Sequence, residues 1–149
     1  MEGKSCRRLS DEAEMNAPKC KVYEPSLRYR RKVMRTLHYD ALSLVIDIQG
    51  ESKFSYARVT FRRPIGFRVL DERDLSEFWK TYNEKNGWLY EVVEGGWMEL
   101  ESQRKMSSLF MFEGKLREYL FVDEKCVSVI STTAPEIDDL GHDPTLPDY

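Results

Sequence analysis

Histidine is scarce in this sequence, and its scarcity removes much chemistry. The 149 residues contain only His38 and His142. Neither stands in an HExxH metal spacing, and no serine stands in a GxSxG nucleophile turn. The glycines of VVEGGWM have no adjoining lysine and hydroxyl, so they do not form a phosphate-cradling loop. Cysteine is nearly as sparse. Cys6, Cys20 and Cys126 are odd in number and lack paired spacing, which argues against a disulfide framework and against a zinc site. Cys126, in KCVSVIST, reads as a small buried hydrophobe. Long apolar runs are missing too. ALSLVIDIQ is broken by Asp47 and falls far short of the ~18 residues that a membrane-spanning helix needs. The opening MEGKSCRRLSDEAEMNAPK has no apolar core of a secretory leader, so the expected compartment is the cytoplasm. No catalytic signature is left, and the sequence implies neither an enzyme, nor a cofactor, nor a bound metal.

What is present is uneven charge. The net charge is −3. Residues 1–40 balance at +4 and residues 41–70 at +3, whereas residues 71–149 carry 18 Asp and Glu against 8 Lys and Arg, a balance of −10. Such an acidic half steers toward cationic partners and repels nucleic acid, although acids also simply solvate a surface.

Three segments follow from composition. Residues 1–33 have few large aliphatics and scattered charge, and read as a flexible basic arm. Residues 34–135 carry the periodic patterns of one folded domain. Residues 136–149 hold five acids and read as a loose acidic tail. Within the domain, Leu42, Leu44, Ile46 and Ile48 alternate with polar positions, as do Ala57, Val59 and Phe61, so both runs predict half-buried strands. Pro64 and Gly66 predict a bulge or bend after the second. Leu75, Phe78, Trp79 and Tyr82 fall at helical spacing behind Asp71, an N-cap type, and predict a helix over DERDLSEFWKTYN. The remainder reads as an antiparallel meander: WLYEVV and WMELES joined at Gly95 and Gly96, then LFMF, LREYLFV and CVSVIST. The fold class is α+β: a curled antiparallel sheet of five to six strands with one main helix packed on it and a flexible N-terminal arm.

Two surfaces stand out as binding candidates. The first is acidic and aromatic: Asp71, Glu72, Glu91, Glu94, Glu99 and Glu101, with Tyr90 and Trp97 as anchors for a cationic protein. On the predicted strand, Glu99 and Glu101 at i and i+2 share a face, either as a solvated edge or as the paired carboxylates of a hydrolase. The second is basic: Arg28, Arg30, Arg31, Lys32 and Arg35 of the arm, extended by Arg58, Arg62, Arg63 and Arg68, which together would suit a nucleic-acid-binding module. The glutamates around the aromatics count against base stacking, which needs a positive groove beside it.

The runs VTFRRPIGFRVLDERDLSEFW, GWLYEVVEGGW and EYLFVDEKCVSVIS, spread over about residues 55–132, resemble small bacterial α+β immunity proteins of contact-dependent growth-inhibition toxin systems. The resemblance implies a non-enzymatic protein that binds and blocks a toxin domain, commonly a nuclease with a basic, phosphate-gripping surface. The long basic arm departs from that pattern.

Overall fold

The computed structural model describes residues 17–23, 33–50, 54–79, 81–83, 86–112 and 114–142. They form nine strands in two antiparallel sheets: β1 (Lys19–Val22), β2 (Val33–Tyr39), β3 (Ser43–Gln49), β4 (Tyr56–Arg62), β5 (Gly66–Asp71), β6 (Leu89–Glu94), β7 (Arg117–Phe121), β8 (Lys125–Ser131) and β9 (Glu136–Gly141). One sheet has the order β1-β6-β7-β8-β5 and the other β2-β3-β4-β9. The antiparallel character agrees with the sequence, but the single curled sheet does not: the strands divide into two layers. Among the described residues, no helix is long and apolar enough to cross a membrane.

Alternation along the strands explains the layering. Leu44, Ile46 and Ile48 on β3 and Ala57, Val59 and Phe61 on β4 are buried, and they meet Leu89, Tyr119, Phe121, Val127 and Val129 of the larger sheet. The intervening residues of β3 and β4 face outward. There Asp47, the residue that interrupts the apolar run, accepts two hydrogen bonds from the Arg58 guanidinium at 2.7 and 3.0 Å and one from Thr36. That fork pairing holds the Asp47 carboxyl below its usual range.

The break at Pro64 is sharper than a bulge. Arg63 donates its N–H to Leu42, in the bend that joins β2 to β3 of the four-stranded sheet, and Ile65 donates to Ile130 of the five-stranded one. Pro64 lies between them with no N–H to satisfy, and Arg63 takes a positive φ of 47°. The chain thus crosses from one layer to the other within three residues, the corner by which a sandwich passes a strand between sheets.

The larger sheet is covered on its other face. Asp71 caps a 3-10 turn (Glu72–Leu75) that runs into a single helical turn, α1 (Ser76–Trp79). The long helix expected over residues 71–83 is therefore a short one. Leu75, Phe78 and Tyr82 still pack against Tyr90, Leu120, Val122 and Cys126, as the apolar stripe required. Cys126 is buried, as its apolar run implied.

Two further expectations give way. Part of the arm is structured: Lys19–Val22 is an edge strand on β6, with Lys19 paired to Glu94 and Lys21 to Glu91. Arg28, Arg30, Arg31 and Lys32 lie outside the described residues. Part of the acidic tail is structured as well, since Glu136–Gly141 pairs with β4 and Glu136 meets Arg62 at 3.1 Å. The remainder of the tail, residues 143–149, lies outside the described residues.

Candidate functional site

The segment after β6 departs most from the sequence reading. WMELES is a helix, α2 (Trp97–Ser102), and LFMF is a 3-10 turn (Leu109–Phe112). Gly95 has φ 73°, as expected of the turn, but Gly96 has φ −99° and serves as the N-cap of α2. A glycine has no side chain with which to satisfy the first N–H groups of a helix. Two glutamates supply what is missing. Glu118, on β7, accepts from the backbone N–H groups of Trp97 and Met98. Glu99 reaches back to accept from Gly95 at 2.6 Å, much as in a capping box.

Glu118 is 1% exposed. Burial pushes its carboxyl above the ordinary value of 4.5, opposed by the two backbone donors and by the positive charge of Arg68. Arg68 lies 5.3 Å from the ring of Trp97, and its Nε has no hydrogen-bond partner among the described residues. Gly96 is fixed by the same packing. A Cβ there would come closer than 3.0 Å to the Glu118 carboxylate and to Val92. We expect Gly96→Ala to destabilise the fold by about 1–3 kcal/mol, read as a lower urea midpoint. An unchanged midpoint would mean that Glu118 does not hold the start of α2.

Beside this cap lies a cavity of about 380 Å³, bounded by the end of β6, α2, the 3-10 turn and the approach to β7. Its walls are mostly apolar, including Val92, Met98, Leu109, Phe110 and Leu116, with Glu94, Glu99 and Glu118 among them. Of its lining residues, Val93 and Phe110 are exposed apolar side chains, and Leu100, Met106 and Met111 of the same stretch of chain are exposed as well.

The sequence-derived acidic set is only partly gathered here. Glu94, Trp97, Glu99 and Glu101 surround α2. Asp71 and Glu72 sit at the far end of β5, where Asp71 is neutralised by Arg73 and Lys125. Those two partners hold its carboxyl well below the usual carboxylate range. Glu91 is bridged by Lys21 and Arg117. Tyr90, expected as an anchor, is a core residue: it is buried, and its hydroxyl donates to the Asn83 carbonyl. Because α2 is a helix, Glu99 and Glu101 do not share a face. Glu99 caps and Glu101 pairs with Arg104 at 2.7 Å, so the pair does not converge as a hydrolase dyad would.

The basic set is divided as well. Arg35 and Arg58 lie on the four-stranded sheet, Arg62 closes β4 against Glu136, and Arg63 stands at the corner. Arg68 belongs to the other sheet, against Trp97. Arg58 and Arg62 are each matched by an acid, Asp47 and Glu136. Among the described residues, no group of three or more His, Cys, Asp or Glu side chains is placed to hold a metal ion.

Sequence reasoning missed Glu118. A lone carboxylate inside the strand REYLFV was the available signal, because an acid in a buried run needs a partner. Set against protein-family models, curated proteins and solved structures, the chain matches none.

Proposed function

We propose that this chain is a non-enzymatic immunity protein that binds and neutralises a cationic toxin domain, a nuclease by the resemblance, and that it meets its partner with the face around α2. The observation that carries this reading is the succession of exposed apolar side chains along this segment, Val93, Leu100, Met106, Phe110 and Met111, with Glu94, Glu99 and Glu101 among them in sequence. Contiguous apolar surface rimmed by charge marks an interaction site. Acids beside it select a basic partner and speed its approach. Asp71 and Glu91 contribute less, since each is already matched by two cations, whereas Glu94 and Glu101 each meet one, Lys19 and Arg104.

The test is binding to the product of the neighbouring gene, where that gene encodes a toxin nuclease domain, with inhibition of its nuclease activity read in parallel. Association is expected to slow as salt rises. Phe110→Ala combined with Glu99→Lys is expected to weaken binding by at least about tenfold, on the scale of a central anchor. If the wild-type chain leaves the nuclease unbound and active, the proposal fails. Retention of single-stranded DNA or RNA on a filter at low salt would favour the nucleic-acid reading instead.

A further inference from the structure

We infer that the cavity beside α2 is a socket for one lysine or arginine side chain carried on an apolar segment of the partner protein, an inference that rests on the reading just proposed. Size, lining and charge all point to this occupant. At about 380 Å³ the cavity lies near the lower end of the range for pockets that take small groups. A long cationic side chain has an aliphatic stem and a charged head, and the lining is divided in the same way. Val92, Phe110 and Leu116 would take the stem, while Glu99 and Glu118 would meet the head.

Glu118 has the capacity for this role. A carboxylate offers about four lone-pair sites, and the N–H groups of Trp97 and Met98 take two. Its buried position strengthens attraction to a cation that reaches the pocket, because charges interact more strongly away from bulk water. Arg68 approaches Glu118 from β5 but leans on the ring of Trp97. Glu94, on the wall, is bridged to Lys19 of the edge strand β1, so a basic side chain already meets one acid of this pocket. On the lining itself, exposed Phe110 and Val93 offer contacts to apolar neighbours of the inserted residue.

The probes are N-acetyl-arginine amide and its neutral analogue N-acetyl-citrulline amide, titrated into the full chain and followed by backbone amide NMR. The arginine compound is expected to shift the amides of Gly95, Gly96 and Met98 saturably, with citrulline at least about fivefold weaker. Glu99→Gln, a change on the pocket wall that leaves the Glu118 cap intact, is expected to weaken the arginine response severalfold. Equal responses to both compounds, or shifts scattered over all surface acids, would overturn the socket. Ser102→Trp, which fills the cavity, gives the second arm. It is expected to lower affinity for the toxin domain at least about tenfold while the unfolding midpoint stays put. Unchanged affinity in that variant would overturn the socket and leave the proposed function standing. A wild-type chain that takes arginine amide but ignores the toxin domain would do the reverse.

Discussion

Phe121→Ala should cost the fold about 3–5 kcal/mol, the most of any single truncation argued for this protein. Phe121 ends β7 at 1% exposure, inside the core between the two sheets. Its ring meets Trp88 edge-on, with centroids 5.9 Å apart. Hydrogen-bonded ladders hold the strands on both sides, with β7 fixed between β6 and β8. The walls of the resulting cavity therefore cannot close in, which places this site at the costly end of the large-to-small range. Phe121→Leu keeps most of the volume and should cost less than about 1.5 kcal/mol. Urea unfolding checks both: the midpoint should fall in that order with an unchanged slope. A loss under about 1 kcal/mol for the alanine variant would mean that the two sheets do not form one cooperative core.

The inward side of this core was legible in the sequence because one period of two decided it. Leu44, Ile46 and Ile48 and, opposite them, Ala57, Val59 and Phe61 can face inward in only one register. What alternation does not tell is which sheet a strand joins. Pro64 and Gly66 announced an interruption, but whether the chain bends or changes layer depends on distant acceptors, Leu42 behind it and Ile130 ahead. The helix α2 was hidden for a similar reason. In six residues, Trp97, Glu99 and Glu101 fit a strand period as readily as a helix. The deciding contact is Glu118, about twenty positions further along the chain.

Charge misled most, and instructively. The basic first half and acidic second half suggested an arm, a tail and a strong outward field. Much of that asymmetry is spent on cross-strand pairs inside the fold. Lys19 and Lys21 of β1 meet Glu94 and Glu91 of β6, while Arg62 of β4 meets Glu136 of β9 and Arg58 stands opposite Asp138. Segments whose composition reads as unfolded become strands because the complementary sign waits on the neighbouring strand. Each exposed pair contributes little alone, but together the pairs favour one register over its slips. Around α2 the acids stand beside exposed apolar side chains instead, and there Glu99 is taken up by the cap of the helix and Glu101 by Arg104.

Glu118 holds the start of α2 from inside the fold, and removing it should be the second costly change. Glu118→Ala leaves the N–H groups of Trp97 and Met98 without acceptors in a partly buried setting, at about 1–3 kcal/mol for each unsatisfied group. Relief of the buried charge offsets part of this, and a net loss of about 2–4 kcal/mol is expected. The pH profile separates the two contributions. Burial raises the Glu118 carboxyl above its ordinary value, so the folded chain holds that proton to a higher pH than the unfolded chain does. The resulting stability is fully present below the unfolded value of 4.5 and is lost as pH rises through the raised folded value. Measured against Glu118→Gln, which never ionises, wild-type stability should therefore decline from acid pH toward neutrality and then level off. Asp47 and Asp71, held down by their cationic partners, act oppositely and lose their contribution as pH falls. They are common to both proteins and cancel in the difference. The other titratable groups facing Glu118 are Arg68 from β5, Glu99 from α2 and Cys20 from β1, whose thiol is pushed up to about 12 by burial and stays neutral throughout. A flat difference between the two profiles would mean that Glu118 is solvated in the native state, and the cap on α2 would then need another explanation.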